Sequence, residues 1–523
     1  MRAYSQTSYD VVPYESNVFP QSHPDRLATI ATLLGMRPAP VTRCRVLELG
    51  AASGGNIIPM AAGLPDSTFL GIDLSKRQVE TGQKLIERVG LKNVELRQLD
   101  FRDVGKDLGQ FDYIVCHGVY SWVPTEVQDK LMSICAENLA PRGIAYVSYN
   151  TFPGWHMRGI IRDVMLYHAK QFSDPVHRVR QARNLLDFMS KSVTQKDDPY
   201  SLLLKNEVEL IRKCQDSYLF HDHLEDENNP VYFHQFAERA QAKALQYLGE
   251  VDFRVMLAAN YPPEVQNVLQ ALSPDAIHLE QYMDFLRNRM FRQTLLCHKS
   301  VQLTHQVRPD MVMGLSAASP AKAANESPDI QSTAVEKFQV PNGAAVSTGQ
   351  PIFKAALVYL NRVWPRAVPF ETLRTEARAA LGGNADPGDA RILAECLLNC
   401  YASASGSLVE LHTYAPAFAR EPGERPVATA LARAQAAEGQ RVTNMRHEGI
   451  TLNAVDRQLM TFLDGTRDRS ALTDVVTDLV KNGDFTVKEQ NQPVTDPARV
   501  RQLAAPVVNE RLTFLGRSAL LVQ

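Results

Sequence analysis

A short loop of small residues is the part of this sequence that most clearly suggests chemistry. Residues 48–56 read Glu-Leu-Gly-Ala-Ala-Ser-Gly-Gly-Asn and follow a strand-like apolar run. Small side chains let a backbone pass close to a ligand, and glycine also allows a positive φ angle. Dinucleotide-binding folds place the spacing G-x-G-x-x-G here, and this loop lacks it. The loop therefore predicts a ligand site of a different kind.

Acidic residues end the next two strand-like runs. Asp73 lies about twenty residues past the loop, where a carboxylate can accept hydrogen bonds from both hydroxyls of a ribose. Asp100 ends the following run, in Leu99-Asp100-Phe101. The alternative is that each is an exposed helix N-cap, the more common fate of a loop aspartate. Their order at successive strand ends favours a ligand site.

Five apolar runs position these residues. They are residues 45–49, 68–72, 94–98, 113–116 and 144–148, separated by helical patterns. Strands spaced in this way predict right-handed crossovers and a parallel, doubly wound α/β sheet. Ligands of such sheets bind beyond the carboxyl ends of the strands, which is where the glycine and acidic residues occur.

The glycine loop resembles motif I of the class I methyltransferases that use S-adenosylmethionine (SAM), in which an acid such as Glu48 precedes the first glycine by two residues. The likeness continues in residues 9–28, 148–156, 221–233 and 281–297. These segments are similar to methyltransferases with a regulatory domain, among them the rickettsial outer-membrane-protein lysine methyltransferases. Ser22 stands where that family more often has threonine, so the hydroxyl is kept.

The resemblance implies SAM as the cofactor and implies which residues surround it. Asp100 is expected at the adenine amine, and the segment after the fourth strand beside the methyl donor. The residues expected to bind SAM are Tyr14, Ser22, His23, Glu48, Gly50, Ala51, Ala52, Ser53, Gly54, Asn56, Asp73, Leu74, Asp100, Phe101 and His117.

Methyl transfer from SAM is an in-line displacement governed by orientation and by the protonation of the nucleophile. A lysine acceptor has an ordinary pKa of about 10.4, so the site must favour the neutral amine, most simply by desolvation. The residues expected to line such a pocket are Tyr120, Trp122, Tyr149, Asn150, Trp155 and His156. None is assigned as a general base, and core packing is the alternative for Tyr120 and Trp122.

The whole chain is predicted to combine a Rossmann-like class I methyltransferase sheet with a helical middle or regulatory domain and a C-terminal winged-helix-like α+β domain. The expected divisions are a SAM-binding core over 1–155, a helical extension over 156–217 and a regulatory domain over 218–302. The regulatory segment alternatively completes the core sheet. An Ala/Ser/Pro-rich linker is expected over 316–333, and the winged-helix-like domain over 334–523.

Composition narrows the function classes. Lys and Arg number 56 against 58 Asp and Glu, a balance that argues against nucleic acid as a general partner. The sequence has neither a signal-peptide pattern nor an apolar run of about 20 residues, so no membrane insertion is expected. The seven cysteines are scattered, which favours a reduced, cytoplasmic protein. The sequence leaves the oligomeric state open.

A metal site is not expected. His221 and His223 form a His-x-His pattern that would place two imidazoles on one face of a strand, with His234, Asp222 and Glu225 nearby. No third ligand occurs at a recognised spacing, and methyl transfer from SAM needs no metal. Packed, hydrogen-bonded histidines are the favoured interpretation.

Three functions remain in view. The first is a methyltransferase that modifies lysine side chains of a protein, which the resemblance implies. The second is a small-molecule methyltransferase of secondary metabolism, because class I cores serve many substrates. The third is a non-catalytic SAM-binding regulator that uses its winged helix on DNA. The candidate recognition stretch, residues 389–398, has one Arg among many apolar residues, which counts against DNA.

Overall fold

A seven-stranded sheet forms the centre of the molecule, which a computed structural model describes over residues 16–192, 198–304, 306–384 and 386–522. Its strands are β1 Arg45–Leu49, β2 Thr68–Asp73, β3 Val94–Gln98, β4 Phe111–Cys116, β5 Leu139–Asn150, β6 Leu245–Glu250 and β7 Phe291–His298. Their order is β3-β2-β1-β4-β5-β7-β6. Strands β1 to β5 run parallel, and β7 is antiparallel to both neighbours. The predicted Rossmann-like sheet is confirmed.

The register of the parallel strands brings the predicted ligand residues to one edge. Leu49, the last residue of β1, pairs with Ile72, so the glycine loop begins beside the end of β2. Four of the five residues of β1 are buried, which fits a strand covered on both faces. The helices of this part are α1 Pro24–Leu33, α2 Ile57–Gly63, α3 Lys76–Val89 and α4 Thr125–Glu137.

Four helices follow β5 and pack mainly on one another. They are α5 Gly154–Ala169, α6 Pro175–Ser192, α7 Pro199–Lys213 and α8 Asp216–His223. Their buried side chains, which include Met165, Leu186, Leu204 and Leu219, form a hydrophobic cluster of their own. The helical pattern expected after residue 156 is therefore present.

The segment expected as a regulatory domain contributes to the central sheet. It contains α9 Phe233–Ala242, α10 Pro263–Leu272 and α11 Ala276–Arg287, together with β6 and β7. Strand β7 pairs with β5 from Ala145↔Leu296 to Asn150↔Phe291. Of the two interpretations, the one in which this segment completes the methyltransferase sheet describes its strands correctly.

The linker expected over 316–333 is corrected by the structure. Ser316–Ala318 forms β8, the central strand of a small sheet, and all three residues are buried. Further along, the Lys354 ammonium donates to the Asp329 carbonyl at 2.5 Å and to the Ser332 carbonyl at 2.8 Å. The small side chains that suggested an open linker instead allow close packing against neighbouring strands.

The part expected as one winged-helix-like domain consists of two modules. The first packs into the same hydrophobic cluster as the methyltransferase sheet. Its elements are β8, β9 Lys322–Ala323, β10 Glu336–Gln339, β11 Ala345–Thr348, α12 Pro351–Val363, β12 Val368–Pro369, α13 Phe370–Ala380, α14 Asp389–Ala402 and β13 Glu410–His412. The β10–β11 pair is an antiparallel hairpin around Asn342-Gly343.

The second module has a separate core, which includes Leu459, Leu472 and Leu512. Its elements are α15 Ala430–Glu438, β14 Arg441–Thr443, β15 Gly449–Thr451, α16 Ala454–Thr461, α17 Arg469–Lys481, β16 Lys488–Glu489, β17 Gln492–Pro493 and α18 Pro497–Arg517. Short helices and two-stranded ribbons give it the winged-helix character that was expected over a longer range. Within the described ranges, no helix is both long and apolar enough to cross a membrane.

Candidate cofactor and acceptor site

The glycine loop after β1 has the backbone that its sequence predicts. Gly50 and Gly54 have φ angles of 76° and 79°, values that favour glycine. A Cβ atom on Gly50 would lie 2.5 Å from Cγ2 of Val119, so a side chain there would also collide with the segment after β4. Ala52 adopts a positive φ of 47° without being glycine. The loop is therefore held in a shape that its small residues permit.

Asp73 lies against this loop at the end of β2. One carboxylate oxygen accepts the backbone N–H of Ala52 at 2.8 Å, and the other accepts that of Ser75 at 2.8 Å. The side chain therefore joins the carboxyl ends of the first two strands. It is not the N-cap of α3, because Ser75 holds that position. The N-cap alternative therefore does not apply to Asp73, and its contact with a ribose stays a prediction.

Glu48 is the buried acid of the loop. One oxygen, Oε1, accepts a hydrogen bond of 2.7 Å from the Nδ2 amide of Asn56. The other, Oε2, is buried, and no hydrogen bond of ordinary geometry reaches it from the described residues. Burial raises the pKa of Glu48 to about 8, although Asn56 and the Ile57 amide oppose the shift. A cationic group is the natural partner for Oε2, and SAM supplies both a sulfonium and an amino group.

Asp100, at the end of β3, is engaged by a neighbour. The guanidinium of Arg102 reaches both of its oxygens, with Nε 3.1 Å from Oδ1 and Nη2 2.5 Å from Oδ2. The same carboxylate caps a short 3-10 helix by accepting the Arg102 N–H at 2.9 Å. Asp100 is 6% exposed, so it is a buried cap rather than an exposed one. Leu74 and Phe101 flank it half-buried, and contact with adenine stays a prediction.

His117 follows β4 at the same edge. Its Nδ1 lies 2.7 Å from the Tyr146 hydroxyl, and its ring centroid lies 3.9 Å from that of Phe19. Burial lowers the pKa of His117 to about 4, so the imidazole is neutral at pH 7. The segment before α1 therefore covers the end of β4. Its Phe19 was not among the residues that the sequence predicted for the site.

Two of the predicted cofactor residues, Ser22 and His23, lie in the segment that leads into α1. The Ser22 hydroxyl is fully buried and accepts from Nδ2 of Asn56 at 2.9 Å. His23 caps α1, with its Nδ1 accepting the Asp25 N–H at 3.2 Å. Ser22 therefore supports the loop through Asn56, whereas His23 caps α1, and contact of either residue with the cofactor stays a prediction. Tyr14 lies outside the described residues.

Several of the residues predicted to line an acceptor pocket form an aromatic surface beyond β5. Trp122 and Trp155 meet edge to face with ring centroids 6.2 Å apart. Phe152 stacks on His156 at 4.0 Å, and His156 Nε2 lies 3.2 Å from the Tyr232 hydroxyl. Three predicted residues, Trp122, Trp155 and His156, are thus brought together. Phe152 and Tyr232 were missed, although both are aromatic residues in segments that the sequence had singled out.

Tyr120 and Tyr149 do not line this surface, which corrects the sequence prediction. Tyr149 is 1% exposed and stacks on Phe236 with centroids 4.0 Å apart. Tyr120 is fully buried 5.4 Å from the same ring, and its hydroxyl accepts from Arg239 at 3.2 Å. Both rings point into the core under α9, so packing is their role. For Tyr120 this is the alternative that the sequence left open.

Asn150 stays near the site but is enclosed. Its backbone N–H donates to the Ser121 hydroxyl at 2.8 Å, and its Nδ2 donates to Asn228 at 3.0 Å. Only 4% of the residue is exposed. Asn150 therefore joins the end of β5 to the segment before α9, and direct contact with an acceptor stays a prediction.

Of the histidines considered for a metal, His221 and His223 lie on helix α8 and His234 lies on α9, so none lies on a strand. Residues two apart on a helix point in different directions, so His221 and His223 do not form a shared face. Burial lowers the pKa of His223 to about 3. Over the described ranges, no group of three or more His, Cys, Asp or Glu residues has an arrangement that could hold a metal ion.

Family sequence models match three parts of the chain. The model described as "Methyltransferase domain" matches residues 46–143, which contain the glycine loop, Asp73 and Asp100. The model described as "Predicted methyltransferase regulatory domain" matches 215–298. The one described as "PKMT, C-terminal winged helix domain" matches 424–520, which is the second C-terminal module and not the first.

Relatives and solved structures match nearly the whole chain. An uncharacterized protein of Rickettsia prowazekii is 35% identical over 98% of this chain and 93% of its own length. The structure of PKMT2 from Rickettsia typhi superimposes with a TM-score of 0.88 at 31% identity, covering 98% of this chain and all of that one. The same protein in complex with AdoHcy, the product form of SAM, gives a TM-score of 0.86 at 31% identity. The chain therefore belongs to the family of SAM-dependent methyltransferases that carry a regulatory domain and a C-terminal winged helix.

Proposed function

We propose that the enzyme transfers the methyl group of SAM to lysine side chains of a protein. The observation that carries the proposal is the aromatic surface formed by Trp122, Phe152, Trp155, His156 and Tyr232. Aromatic faces bind the alkyl chain of a lysine and attract its ammonium group. The surface lies at the carboxyl end of β5, beside the strand ends that carry the predicted cofactor residues.

Methyl transfer from SAM to a lysine requires few further groups on the acceptor side of the site. The lysine nitrogen must lose its proton, attack the methyl carbon opposite the sulfonium, and form the N–C bond as the S–C bond breaks, leaving AdoHcy. Apolar surroundings favour the neutral amine and so assist the first step. Trp155 is 6% exposed, and its indole N–H has no hydrogen-bond partner in the described part of the chain. The buried indole therefore supports the aromatic surface by packing against Trp122.

Surface exposure near the site supports a polypeptide acceptor. Phe285, Met290 and Phe291 are 47%, 38% and 40% exposed, and the Phe285 ring lies 6.1 Å from that of Tyr232. Exposed large apolar residues grouped in this way are typical of protein contact surfaces. The name PKMT, carried by the Rickettsia typhi protein and by the winged-helix model, is consistent with this proposal.

DNA recognition by the expected helix has less support. Helix α14 buries Leu393, Ala394 and Leu397 in the cluster shared with the methyltransferase sheet. A recognition helix must instead present a polar face to the major groove. A cytoplasmic location stays a prediction from the sequence.

The test is transfer of a labelled methyl group. The purified enzyme is incubated with lysate and methyl-labelled SAM, and the labelled product is located by mass spectrometry. We expect the label on lysine nitrogens of one or a few proteins. Label found on a metabolite, with none on any polypeptide, would overturn the lysine assignment and leave the SAM site intact.

Variants connect that result to the aromatic surface. Trp122→Ala should lower transfer at least tenfold while SAM affinity stays within about twofold, because the tryptophan is expected to touch the acceptor. Tyr167→Ala is the control, since Tyr167 is an 81% exposed aromatic residue of α5, the helix that also carries Trp155. Equal loss in both variants would remove the aromatic surface from the acceptor site.

A further inference from the structure

A hairpin loop of the second C-terminal module reaches the cofactor loop. Strands β14 and β15 are joined by residues 444–448, and His447 in this turn has a φ of 60° and is 4% exposed. Its Nε2 lies 2.9 Å from Oδ1 of Asn56, a residue 391 positions earlier in the chain. The contact is buried, and no short sequence motif predicts it.

The proton positions in this contact follow from its neighbours. Oδ1 of Asn56 also receives the backbone N–H of Phe19 at 2.9 Å, so this atom is the oxygen and acts as an acceptor. Nδ2 of Asn56 donates to Ser22 and Glu48. His447 must therefore donate through Nε2, which leaves its Nδ1 as the unprotonated nitrogen. Every hydrogen-bonding position of the Asn56 side chain is then used.

The loop that carries His447 is tightly built. The Oδ1 atom of Asn444 accepts the backbone N–H groups of Arg446 and Glu448, both at 2.9 Å. The Arg446 guanidinium pairs with Glu410 at 2.6 Å and lies 4.6 Å from the ring centre of Trp364, both in the first C-terminal module. Both C-terminal modules therefore hold the histidine against the cofactor loop.

Burying a histidine at this position lowers the stability of the folded chain. Nδ1 of His447 is buried and has no hydrogen-bond partner in the part of the chain that the structure describes. An unsatisfied buried polar atom lowers stability, whereas an apolar side chain of the same size would not. The hydrogen bond from Nε2 to Asn56 is thus what a histidine provides at this position and an apolar side chain does not.

We propose that His447 is a positioning residue of the SAM site. It fixes the amide of Asn56, and Asn56 in turn holds Oε1 of Glu48, so that Oε2 is left facing a cationic group of SAM. The cofactor site of the sheet is therefore completed by the winged-helix module. This inference concerns cofactor binding and is independent of which acceptor is methylated.

Substitutions separate positioning from packing. His447→Leu keeps the volume, removes the bond to Asn56 and also removes the unsatisfied Nδ1. We expect SAM affinity, measured by calorimetry on the full chain, to fall about fivefold to twentyfold while the thermal midpoint stays the same or rises. His447→Gln keeps an N–H donor at a similar distance and should restore affinity to within about threefold of the unsubstituted protein.

Leu472→Ala is the control for destabilisation of the same module. Leu472 is fully buried in the separate core and does not reach the cofactor loop. This variant should lower the thermal midpoint and leave SAM affinity unchanged at temperatures where it is folded. If His447→Leu binds SAM as tightly as the unsubstituted chain, or if Gln fails to restore affinity, the positioning role is refuted.

A second readout needs no cofactor. Amide hydrogen exchange of peptides covering residues 48–58 should be faster in His447→Leu than in the unsubstituted protein, because Asn56 loses one of its anchors. Leu472→Ala should leave exchange of these peptides unchanged. Unchanged exchange in His447→Leu would also refute the proposal, even if the variant lost affinity.

Discussion

Two buried polar networks of this molecule differ in one respect. The first surrounds Arg292 at the edge of the sheet, where a fully buried guanidinium bonds to Glu250 at 2.8 Å, Asp284 at 2.7 Å and Glu280 at 2.9 Å. The ring of Phe233 closes it from one side, 3.8 Å from the guanidinium carbon. Each of the three guanidinium nitrogens of Arg292 has a carboxylate acceptor, so the network around Arg292 is complete in this sense as the chain folds.

The second network surrounds Asn56 and is not complete. Oε2 of Glu48 and Nδ1 of His447 are buried without hydrogen bonds among the described residues. Buried polar groups normally find partners, and an exception asks for an explanation. We infer that a complete network stabilises the fold, while the incomplete one keeps at least one place, at Glu48, for the cofactor.

The largest expected effect tests the complete network. Arg292→Met leaves Glu280 buried without a cation and Glu250 and Asp284 with Arg289 alone, and should lower the free energy of unfolding by about 3–5 kcal/mol. Chemical denaturation followed by circular dichroism measures the loss. Arg254→Ala is the control, because Arg254 pairs with Asp252 at a half-exposed position and its loss should cost about 1 kcal/mol or less. Similar losses in both variants would show that the Arg292 network does not stabilise the sheet.

The second prediction concerns the cofactor cleft. Asp73→Ala should weaken SAM binding more than tenfold, equivalent to about 1.5–3 kcal/mol, because a charge-assisted pair to the ribose and an anchor of the loop are both lost. Titration calorimetry gives the affinity. Asp66→Ala removes an exposed aspartate in the turn before β2 and should change nothing. Unchanged affinity in Asp73→Ala would remove this residue from the site.

The third prediction follows from the raised pKa of Glu48, about 8 against an ordinary value of 4.5. A cation bound beside the carboxylate favours its ionised form, so SAM binding should release a proton. Affinity should then rise about twentyfold between pH 6 and pH 7.5. Calorimetry in buffers of different ionisation enthalpy counts the protons. Glu48→Gln should abolish the release, and an equal release in that variant would contradict the assignment.

The raised pKa of Glu48 also makes stability depend on pH. Stability should fall as the pH rises, whereas SAM affinity should increase. The pKa of Glu48 is higher in the folded chain than in the unfolded one, so its protonated form stabilises the fold. That contribution is fully present below pH 4.5 and is lost as the pH rises through about 8. Without cofactor, Glu48→Gln should therefore lose less stability between pH 5 and pH 8 than the unsubstituted chain does.

Local sequence patterns predicted well where the strands end. They predicted poorly which side of the sheet the following side chains occupy. Glycine spacing and an acid at the end of β2 depend on neighbours in the chain, so the sequence placed Gly50 and Asp73 correctly at the ends of their strands. Tyr120 and Tyr149 were wrongly placed in the pocket because either side of the sheet accepts an aromatic residue after a strand. Their burial is decided by Phe236, which lies on α9 and comes much later in the sequence.

Contacts between distant segments were beyond such patterns altogether. His447 meets Asn56 only because two C-terminal modules dock on the sheet, and its neighbours in the sequence carry no sign of a ligand. The strand Ser316–Ala318 was hidden for a related reason. Alanine and serine favour an exposed linker when isolated, but they pack well between two other strands.

The smallest expected effect concerns Asp100, a carboxylate that already has a hydrogen-bonded partner within the chain. Asp100→Asn should weaken SAM binding about threefold or less, because the charge of Asp100 is already balanced by Arg102 and an amide oxygen can still accept a hydrogen bond. Calorimetry should place this variant near Asp103→Asn, the change of a neighbouring exposed acid. If Asp100→Asn instead loses as much affinity as Asp73→Ala, then the pair with Arg102 must open when the cofactor binds. A network that is complete without ligand would then also serve the site, and completeness alone would no longer separate structural carboxylates from binding ones.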